Sequence, residues 1–176
     1  MKYDFEIRGD KVSIFLRRRD ESVIETIIDK DNLQIAQSLR GRWYAQWSDK
    51  TKSFYAVSRS PSNKTNTHSR LHRLITDAPE WLEVDHINHD TLDNTSENLR
   101  NVTRSENAQN KRDISSRNKS GFRGVYWHEG NKRWRARVTV NKKVIDLGEF
   151  TDVKQAGEAA LRARVEFMPF YIAQSY

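Results

Sequence analysis

The sequence predicts an α+β protein in which short antiparallel strands outnumber helices. Three patterns carry this prediction. Residues 133–139 alternate between apolar and polar side chains, which is typical of a strand with one buried face. Residues 153–167 repeat small apolar residues at intervals of three and four, which predicts a helix. Residues 82–107 contain, in this order, a predicted strand, a long polar loop, a second predicted strand and a helix-start signal.

Residues 120–176 are predicted to form a three-stranded antiparallel sheet packed on one helix. Turn signals at residues 129–131 and 141–143 separate three short runs. One face of the middle run carries Trp134, Ala136 and Val138, and the other carries Arg135, Arg137 and Thr139. The helical stripe consists of Val153, Ala156, Ala160, Ala163 and Phe167. Since small residues let a helix lie close to a sheet, we expect the stripe to cover the Trp134 face and leave the arginine face outward.

Residues 1–62 are predicted to be a strand-rich region. Val12, Ile14 and Leu16 alternate with other residues after a turn at Gly9–Asp10. Residues 31–39 predict a helix, and residues 43–57 predict a hairpin.

Basic and aromatic side chains in this region leave two interpretations open. Arg17, Arg18 and Arg19 either contact phosphate or are simply solvated, and a run of three charges favours solvation. Trp43 and Trp47 either stack on bases or pack in the core, and core packing is favoured.

The segment 82–107 concentrates side chains that suit phosphate chemistry. A divalent cation that handles phosphate prefers oxygen ligands, so the Asp85 carboxylate and the Asn107 amide are suitable. His86 can take a proton from water near neutral pH, because the usual pKa of histidine lies close by. An imidazole that acts as a base needs its other nitrogen held, and the amide oxygen of Asn98 can accept that N–H.

A capping box at residues 103–106 supports this arrangement. It predicts a short helix that runs to about Lys111 and contains Asn107. Helical side chains lean toward the N-terminus, so Asn107 can reach back toward the strand that carries Asp85. An Asp-His pair alone is more often a surface turn, but the four residues together favour a site.

These residues resemble the ββα-metal motif of the HNH endonuclease family, in the subgroup common among phage and intron-encoded homing endonucleases. The resemblance implies that Asp85 and Asn107 are metal ligands, that His86 is the general base and that Asn98 orients it. The element Leu71–Leu74 also matches this subgroup, with His72 and Arg73 as supporting residues. His89 departs from the family, which more often has glycine there.

Residues 120–176 resemble the AP2-type DNA-binding domain, through Arg123–Gly124 and Leu147–Phe150. The resemblance implies that a set of side chains faces DNA: Arg123, Tyr126, His128, Arg135, Arg137 and Thr139. Tyr126 replaces an arginine of the plant domains, so their target sequence is not transferred.

Charge agrees with a polyanionic partner. The formal net charge is +7, divided as +3 over residues 1–62, −2 over residues 63–113 and +6 over residues 114–176. There is no cysteine, which excludes disulfides and zinc-stapled variants of this nuclease class. No long apolar run is present, so we expect a soluble protein without membrane association.

We therefore expect four parts: a strand-rich region (1–62), the HNH motif (63–113), a linker (114–119) and an AP2-like domain (120–176). Polar linkers are expected at residues 58–67 and 111–120. The function expected is metal-dependent cleavage of double-stranded DNA in the cytoplasm of a phage-infected bacterium. The sequence leaves the oligomeric state open, with a monomer favoured over a dimer. Mg²⁺ is the expected cofactor, and Mn²⁺ is expected to support activity. The alternatives are a catalytically silent DNA-binding regulator and an RNA-binding or structural protein.

Overall fold

A computed structural model describes residues 4–39, 41–59, 68–111, 114 and 116–173. The chain forms two compact units, Met1–Arg104 and Ser105–Tyr176. Both units mix strands with few helices, which agrees with the α+β class. The finer four-part division stays a prediction. Most of the expected linker at residues 58–67 lies outside the described residues, as do residues 112, 113 and 115 of the second expected linker.

A six-stranded sheet forms the base of the first unit. Its strands are β1 (Phe5–Arg8), β2 (Lys11–Arg17), β3 (Val23–Asp29), β4 (Trp43–Ser48), β5 (Ser53–Arg59) and β6 (His68–Arg70). Strand β2 pairs antiparallel with β1 and β3, and it meets β4 in parallel through Arg17 and Tyr44. The predicted hairpin is confirmed, since β4 and β5 pair from Trp43–Ser58 to Ser48–Ser53.

The core of this unit lies between the sheet and two short helices, α1 (Leu33–Ser38) and α2 (Leu71–Ile75). The alternation predicted in β2 is confirmed, because Val12, Ile14 and Leu16 are all buried in this core. Trp43 is buried as favoured, and its indole N–H donates to the Ala36 carbonyl at 3.0 Å. Trp47 on the same strand is instead 46% exposed.

The predicted strand–loop–strand–helix order is present. Strands β7 (Glu83–His86) and β8 (Leu99–Val102) pair antiparallel, and helix α3 (Arg104–Gln109) follows. The helix ends two residues before the expected Lys111. The loop between the strands is fastened to the six-stranded sheet, where the Ile27 amide donates to Leu92 O at 2.9 Å and the Asn94 amide donates to Ile27 O at 2.7 Å. This attachment fixes the loop beside strand β3.

In the second unit, strands β9 (Val125–His128), β10 (Arg133–Val140) and β11 (Lys143–Phe150) form an antiparallel sheet with β10 in the middle. Asn141 and Lys142 both have positive φ angles, 48° and 66°, as a two-residue hairpin turn requires. Helix α4 (Val153–Phe167) covers the Trp134 face, where Ala156 and Ala160 pack in the core. The predicted sheet-on-helix arrangement is therefore confirmed.

The predicted helical stripe is wrong at its end. Phe167 is 38% exposed, whereas Gly157 and Arg164 are buried. Arg164 turns inward because its guanidinium donates to the Arg123 carbonyl. Arg164 therefore occupies a buried position of the helix, where an apolar residue is usual, because its charge has a backbone carbonyl as partner. Among the described residues, no helix has both the length and the apolar character needed to cross a bilayer.

We expect Gly157→Ala to destabilise the protein although alanine is the better helix former. A Cβ at Gly157 would lie 2.4 Å from Phe122 Cδ1. Overpacking costs about 1–3 kcal/mol and exceeds the gain in helix propensity of about 1 kcal/mol. Urea unfolding should show a lower midpoint for Gly157→Ala, and exposed Gln155→Ala should match or exceed the wild type. An unchanged or higher midpoint for Gly157→Ala would contradict close packing of α4 on Phe122.

Candidate active site

The β7–β8 hairpin places Asp85 opposite Arg100. Arg100 donates to one carboxylate oxygen of Asp85, Oδ2, from Nε at 2.9 Å and from Nη2 at 2.7 Å. Asp85 is only 7% exposed, so the guanidinium compensates a carboxylate that would be costly to bury alone. The sequence analysis did not identify Arg100, since only strand register shows that it faces Asp85.

His86 lies at the end of β7 and is buried. Its Nε2 lies 3.3 Å from Oδ1 of Asn94, which is itself buried. Asn94 in turn donates from Nδ2 to the Thr26 hydroxyl at 2.7 Å, and that hydroxyl donates to Leu92 O at 2.6 Å. These three contacts form a chain that begins at a backbone carbonyl and ends at the imidazole.

The chain determines which nitrogen of His86 carries the proton. The Thr26 hydroxyl has one hydrogen, which goes to the Leu92 carbonyl, so its oxygen accepts from the Asn94 amide group. Asn94 therefore presents its oxygen to His86, and Nε2 must be the protonated nitrogen. Nδ1 is then the nitrogen with the lone pair. A general base needs this arrangement, with one nitrogen held and the other able to accept a proton.

Asn98 has a different place from the one expected. Its Oδ1 accepts from the Asn88 amide at 2.8 Å, and its Nδ2 donates to Asp93 O at 2.7 Å. The Asn98 side chain thus braces the two ends of the loop, and the amide that contacts the imidazole belongs to Asn94. The sequence analysis missed Asn94 because a loop with several Asn and Asp residues gives no signal that singles it out. A direct catalytic role for Asn98 stays a prediction.

The departure from the family at His89 has a backbone explanation. His89 has a φ of 68°, and its amide donates to the His86 carbonyl at 3.0 Å. Glycine adopts this left-handed conformation without steric cost, so the turn accounts for the family's preference. The turn itself forms with histidine in this position.

His72 and Tyr55 pack against the candidate base. The His72 ring lies 5.1 Å from the His86 ring at an interplanar angle of 90°, and Tyr55 contacts both rings edge-on. Burial lowers the pKa of His72 to about 3, with smaller contributions from His86 and neighbouring arginines. Burial also lowers the pKa of His86, partly offset by Asn94 and nearby carboxylates. Both rings are therefore neutral at pH 7, and His72 packs against the ring of His86.

Arg73, the other expected supporting residue, organises the segment that leads into β7. Its guanidinium donates to the carbonyls of Leu82 at 2.9 Å, Ala78 at 3.0 Å and Pro79 at 2.9 Å. These bonds satisfy backbone groups that would otherwise lack partners. Arg73 therefore supports the position of the strand that carries Asp85 and His86.

The predicted metal ligands belong to different units. Asp85 lies on β7 in the first unit, and Asn107 lies on α3 within the second unit. Within the part of the chain that the structure describes, no group of three or more His, Asp or Glu side chains is arranged to hold a metal ion. A carboxylate and an amide oxygen remain a donor set that suits a hard cation such as Mg²⁺, which binds few protein groups and keeps several waters.

In the second unit, two of the side chains expected to face DNA, Arg135 and Arg137, are already paired with a carboxylate. Arg135 donates to Asp146 from two nitrogens, and Arg137 donates to the same carboxylate oxygen from Nε at 3.2 Å. The pKa of Asp146 is lowered to about 2, chiefly by the hydrogen bond from Arg135. The bulge between Ala136 and Arg137 sets Arg137 opposite Asp146, a pairing that alternation alone does not predict.

Arg123 is also not available as expected. Its guanidinium donates to three carbonyls, Ala108, Gln109 and Lys111, at 2.7–3.2 Å. It is therefore a structural group within the second unit.

The other residues expected to face DNA differ in how exposed their side chains are. Thr139 is exposed, and Tyr126 is 39% exposed beneath the Arg137 guanidinium. His128 is half-buried and accepts the Asn131 amide at 3.1 Å.

Comparisons with known proteins match the part of the sequence that carries the candidate site. Residues 70–109 match the family model of HNH endonucleases. An uncharacterized HNH endonuclease of Acanthamoeba polyphaga mimivirus is 31% identical over 119 residues. That alignment covers 66% of this chain and 57% of the viral protein. No solved structure matches the chain. Both matches support the HNH endonuclease family for this part of the protein.

We expect the buried His72 to make folding stability fall in mild acid. Its pKa is about 3 in the folded protein and about 6.5 when unfolded. Protonation therefore favours the unfolded chain, so stability present above pH 6.5 is lost as the pH falls toward 3. The loss at pH 5 is about 2 kcal/mol. Urea unfolding at pH 7 and pH 5 should show this loss reduced in His72→Phe, which keeps an aromatic ring.

Exposed His68→Gln is the matched control for this measurement and should retain the wild-type pH dependence. Equal slopes for the wild type and His72→Phe would show that His72 is not a buried neutral histidine.

Asn94→Ala should disturb the tautomer of His86. In the wild type, ¹⁵N NMR should show the His86 proton on Nε2, because Asn94 accepts it. Removing the amide also leaves the buried Nε2–H of His86 without its acceptor, which costs about 1–3 kcal/mol. The Thr26 hydroxyl loses one donor but keeps its bond to the Leu92 carbonyl. Asn98→Ala should leave the tautomer in place. A proton found on Nδ1 of the wild-type ring would contradict the hydrogen-bond chain.

Proposed function

We propose that the protein is a metal-dependent DNA endonuclease of the HNH homing type that hydrolyses phosphodiester bonds. The observation that carries this proposal is a buried, neutral His86 with its Nε2 held, directly following a buried carboxylate, Asp85. The family match over residues 70–109 gives independent support.

His86 is proposed to take the proton from the attacking water. Its lowered pKa keeps the ring neutral before the reaction, with Nδ1 as the accepting atom. Once protonated, the ring carries a positive charge that the carboxylates of Asp85, Asp90 and Asp93 favour. The Asn94 amide holds the ring while the charge appears. Attack on phosphorus then leaves a 5′-phosphate and a 3′-hydroxyl.

Asp85 and Asn107 are proposed to hold one divalent cation, Mg²⁺ by default, with Mn²⁺ also effective. When bound, the cation supplies Lewis-acid stabilisation of the charge that develops on the phosphate and the leaving oxygen. Arg100 holds the Asp85 carboxylate through Oδ2 and fixes its orientation. Asn98 is proposed to contribute by bracing the loop that carries Asn94.

Residues 120–176 are proposed to act as an AP2-like module that grips double-stranded DNA. The charge of +6 over residues 114–176 supports this role. Arg135 and Arg137 would exchange Asp146 for phosphate or base contacts, and Tyr126, His128 and Thr139 would add contacts on the same sheet. Arg123 would support the module from within. Action in the cytoplasm of a phage-infected bacterium is proposed, and the viral source of the relative supports an infection context.

A second candidate is a DNA-binding regulator that does not cut. The Arg100–Asp85 ion pair favours it, since the guanidinium already neutralises the carboxylate that a cation would use. In the endonuclease, by contrast, Arg100 and the cation share the carboxylate.

Cleavage of supercoiled plasmid tests the proposal. With Mg²⁺, wild type should give relaxed or linear product, and His86→Ala should be slower by about 10²–10⁴-fold, because proton transfer by a positioned base contributes this much. Chelation of the metal should abolish cutting. The ratio of relaxed to linear product shows whether one strand or both are cut.

His68→Ala, an exposed histidine of the same unit, is the matched control and should cut like the wild type. Thermal unfolding should show that each variant is folded. Cutting by His86→Ala at the wild-type rate would remove His86 as the base. Salt-sensitive DNA binding by the wild type without any cutting would favour the regulator.

A further inference from the structure

A groove with a basic rim and an aromatic floor lies on the six-stranded sheet, within the first unit. Its volume is about 700 Å³. Strands β2 and β4 meet through Arg17 and Tyr44, and the chain then turns back at Arg18, whose amide donates to Ser22 O at 2.8 Å. The groove is lined by Arg17, Arg18, Arg19, Asp20, Tyr44, Ala45, Gln46, Trp47 and Phe54.

The aromatic floor presents an indole to solvent. Trp47 is 46% exposed, whereas Trp43 on the same strand is buried in the core. The Trp47 ring packs against Phe54 with ring centroids 4.9 Å apart, and its N–H donates to Asp49 Oδ1 at 3.2 Å. The ring is thus held in place while nearly half of the side chain remains accessible. Burial in the core cannot explain its position.

The rim supplies positive charge near this ring. Arg17 and Arg19 are both exposed, and no carboxylate among the described residues forms an ion pair with either. Arg18 lies 4.5 Å from the Phe54 ring centre, and its Nη1 donates to Ser22 Oγ at 3.1 Å. The Nε of Arg18 is buried and has no hydrogen-bond partner within the described part of the chain. The groove therefore offers two exposed guanidinium groups, those of Arg17 and Arg19.

We propose that this groove binds an unpaired nucleotide of a nucleic acid strand. The base stacks on the exposed indole of Trp47, and the phosphates on either side pair with Arg17 and Arg19. A base inside a duplex has both faces covered by its neighbours, so the indole stacks on an unpaired base in preference to an internal base of a duplex. This site does not depend on the chemistry of His86.

Both single-stranded DNA and single-stranded RNA carry this chemistry. The groove recognises a base face and a phosphate, and neither feature distinguishes the two sugars.

Binding of labelled oligonucleotides by the full chain tests the proposal in the presence of EDTA, so that cleavage does not interfere. Fluorescence anisotropy would measure the affinity for dT₁₂, for rU₁₂ and for a blunt-ended duplex of matched length, which contains no unpaired nucleotide. We expect Trp47→Ala to weaken dT₁₂ binding by about 5- to 100-fold, the range found for loss of one stacked base. Duplex affinity should change less than about twofold, because duplex binding does not use the indole.

Matched variants separate the groove from the rest of the surface. Trp81 is 75% exposed and does not line the groove, so Trp81→Ala should bind dT₁₂ like the wild type. The double variant Arg17→Gln with Arg19→Gln should weaken dT₁₂ binding. The dependence of its affinity on salt concentration should also be less steep, by the equivalent of up to about two phosphate contacts. The exposed Arg162→Gln should not weaken it. Trp47→Phe keeps a ring and should lose less affinity than Trp47→Ala.

Two results would overturn the proposal. If Trp47→Ala binds dT₁₂ and rU₁₂ as tightly as Trp81→Ala does, and thermal unfolding shows both variants folded, Trp47 has no stacking role. Equal loss of duplex and single-strand affinity in Trp47→Ala would show a duplex contact instead. If Trp47→Ala does not fold, the dT₁₂ affinities of Trp47→Phe and of the double arginine variant are compared with that of the wild type instead. Wild-type affinity in both would overturn the proposal. Tighter binding of dT₁₂ would identify the bound strand as DNA, and tighter binding of rU₁₂ would identify it as RNA.

Discussion

The hydrogen-bond chain from the Leu92 carbonyl through Thr26 and Asn94 to His86 connects the six-stranded sheet with the candidate base. Its links measure 2.6, 2.7 and 3.3 Å, and Thr26 and Asn94 are almost completely buried. Each donor in the chain has a specific acceptor, so breaking one link leaves a buried polar group unpaired. The position and tautomer of His86 therefore depend on a threonine sixty residues earlier in the sequence. The strand-rich N-terminal region consequently belongs to the scaffold of the candidate site, in the same compact unit as the β7–β8 hairpin.

The loop that closes this site uses its many polar residues mainly for its own backbone. Asn88 and Asp90 each accept an amide two residues later, at 2.7 and 2.9 Å, and Asn98 joins the two ends of the loop. These short-range bonds support the turn at His89. Such a loop positions His86 while leaving the strand register of β7 and β8 to place Asp85 against Arg100. Local hydrogen bonding and sheet pairing thus fix different parts of the site.

The sequence predicted the elements better than it predicted the contacts of their polar side chains. The alternation of β2 and β10 and most of the α4 stripe followed from periodicity, because apolar burial has the period of the element. The partner of His86 did not follow, since Asn94 and Asn98 are equivalent in a local pattern and only the approach of Thr26 distinguishes them. Arg164 is buried, and Phe167 is exposed against expectation; the Arg164 guanidinium has a backbone partner in the carbonyl of Arg123. These outcomes depend on residues distant in sequence.

Arginine shows most clearly why charge composition is a weak guide to a binding surface in this protein. Arg73 and Arg123 each donate to three backbone carbonyls, Arg100 pairs with Asp85, and Arg135 and Arg137 share Asp146. All five carry the charge that made the chain basic, yet each already has a specific partner. A guanidinium in such a setting must lose its partner before it can contact phosphate, and that loss opposes binding. The exposed Arg17 and Arg19 have no such cost to overcome. The arginine run at residues 17–19 was expected to be simply solvated. Because Arg17 and Arg19 lie beside Trp47 in the groove, they are stronger candidates for contact with a nucleic acid strand than the arginines of β10.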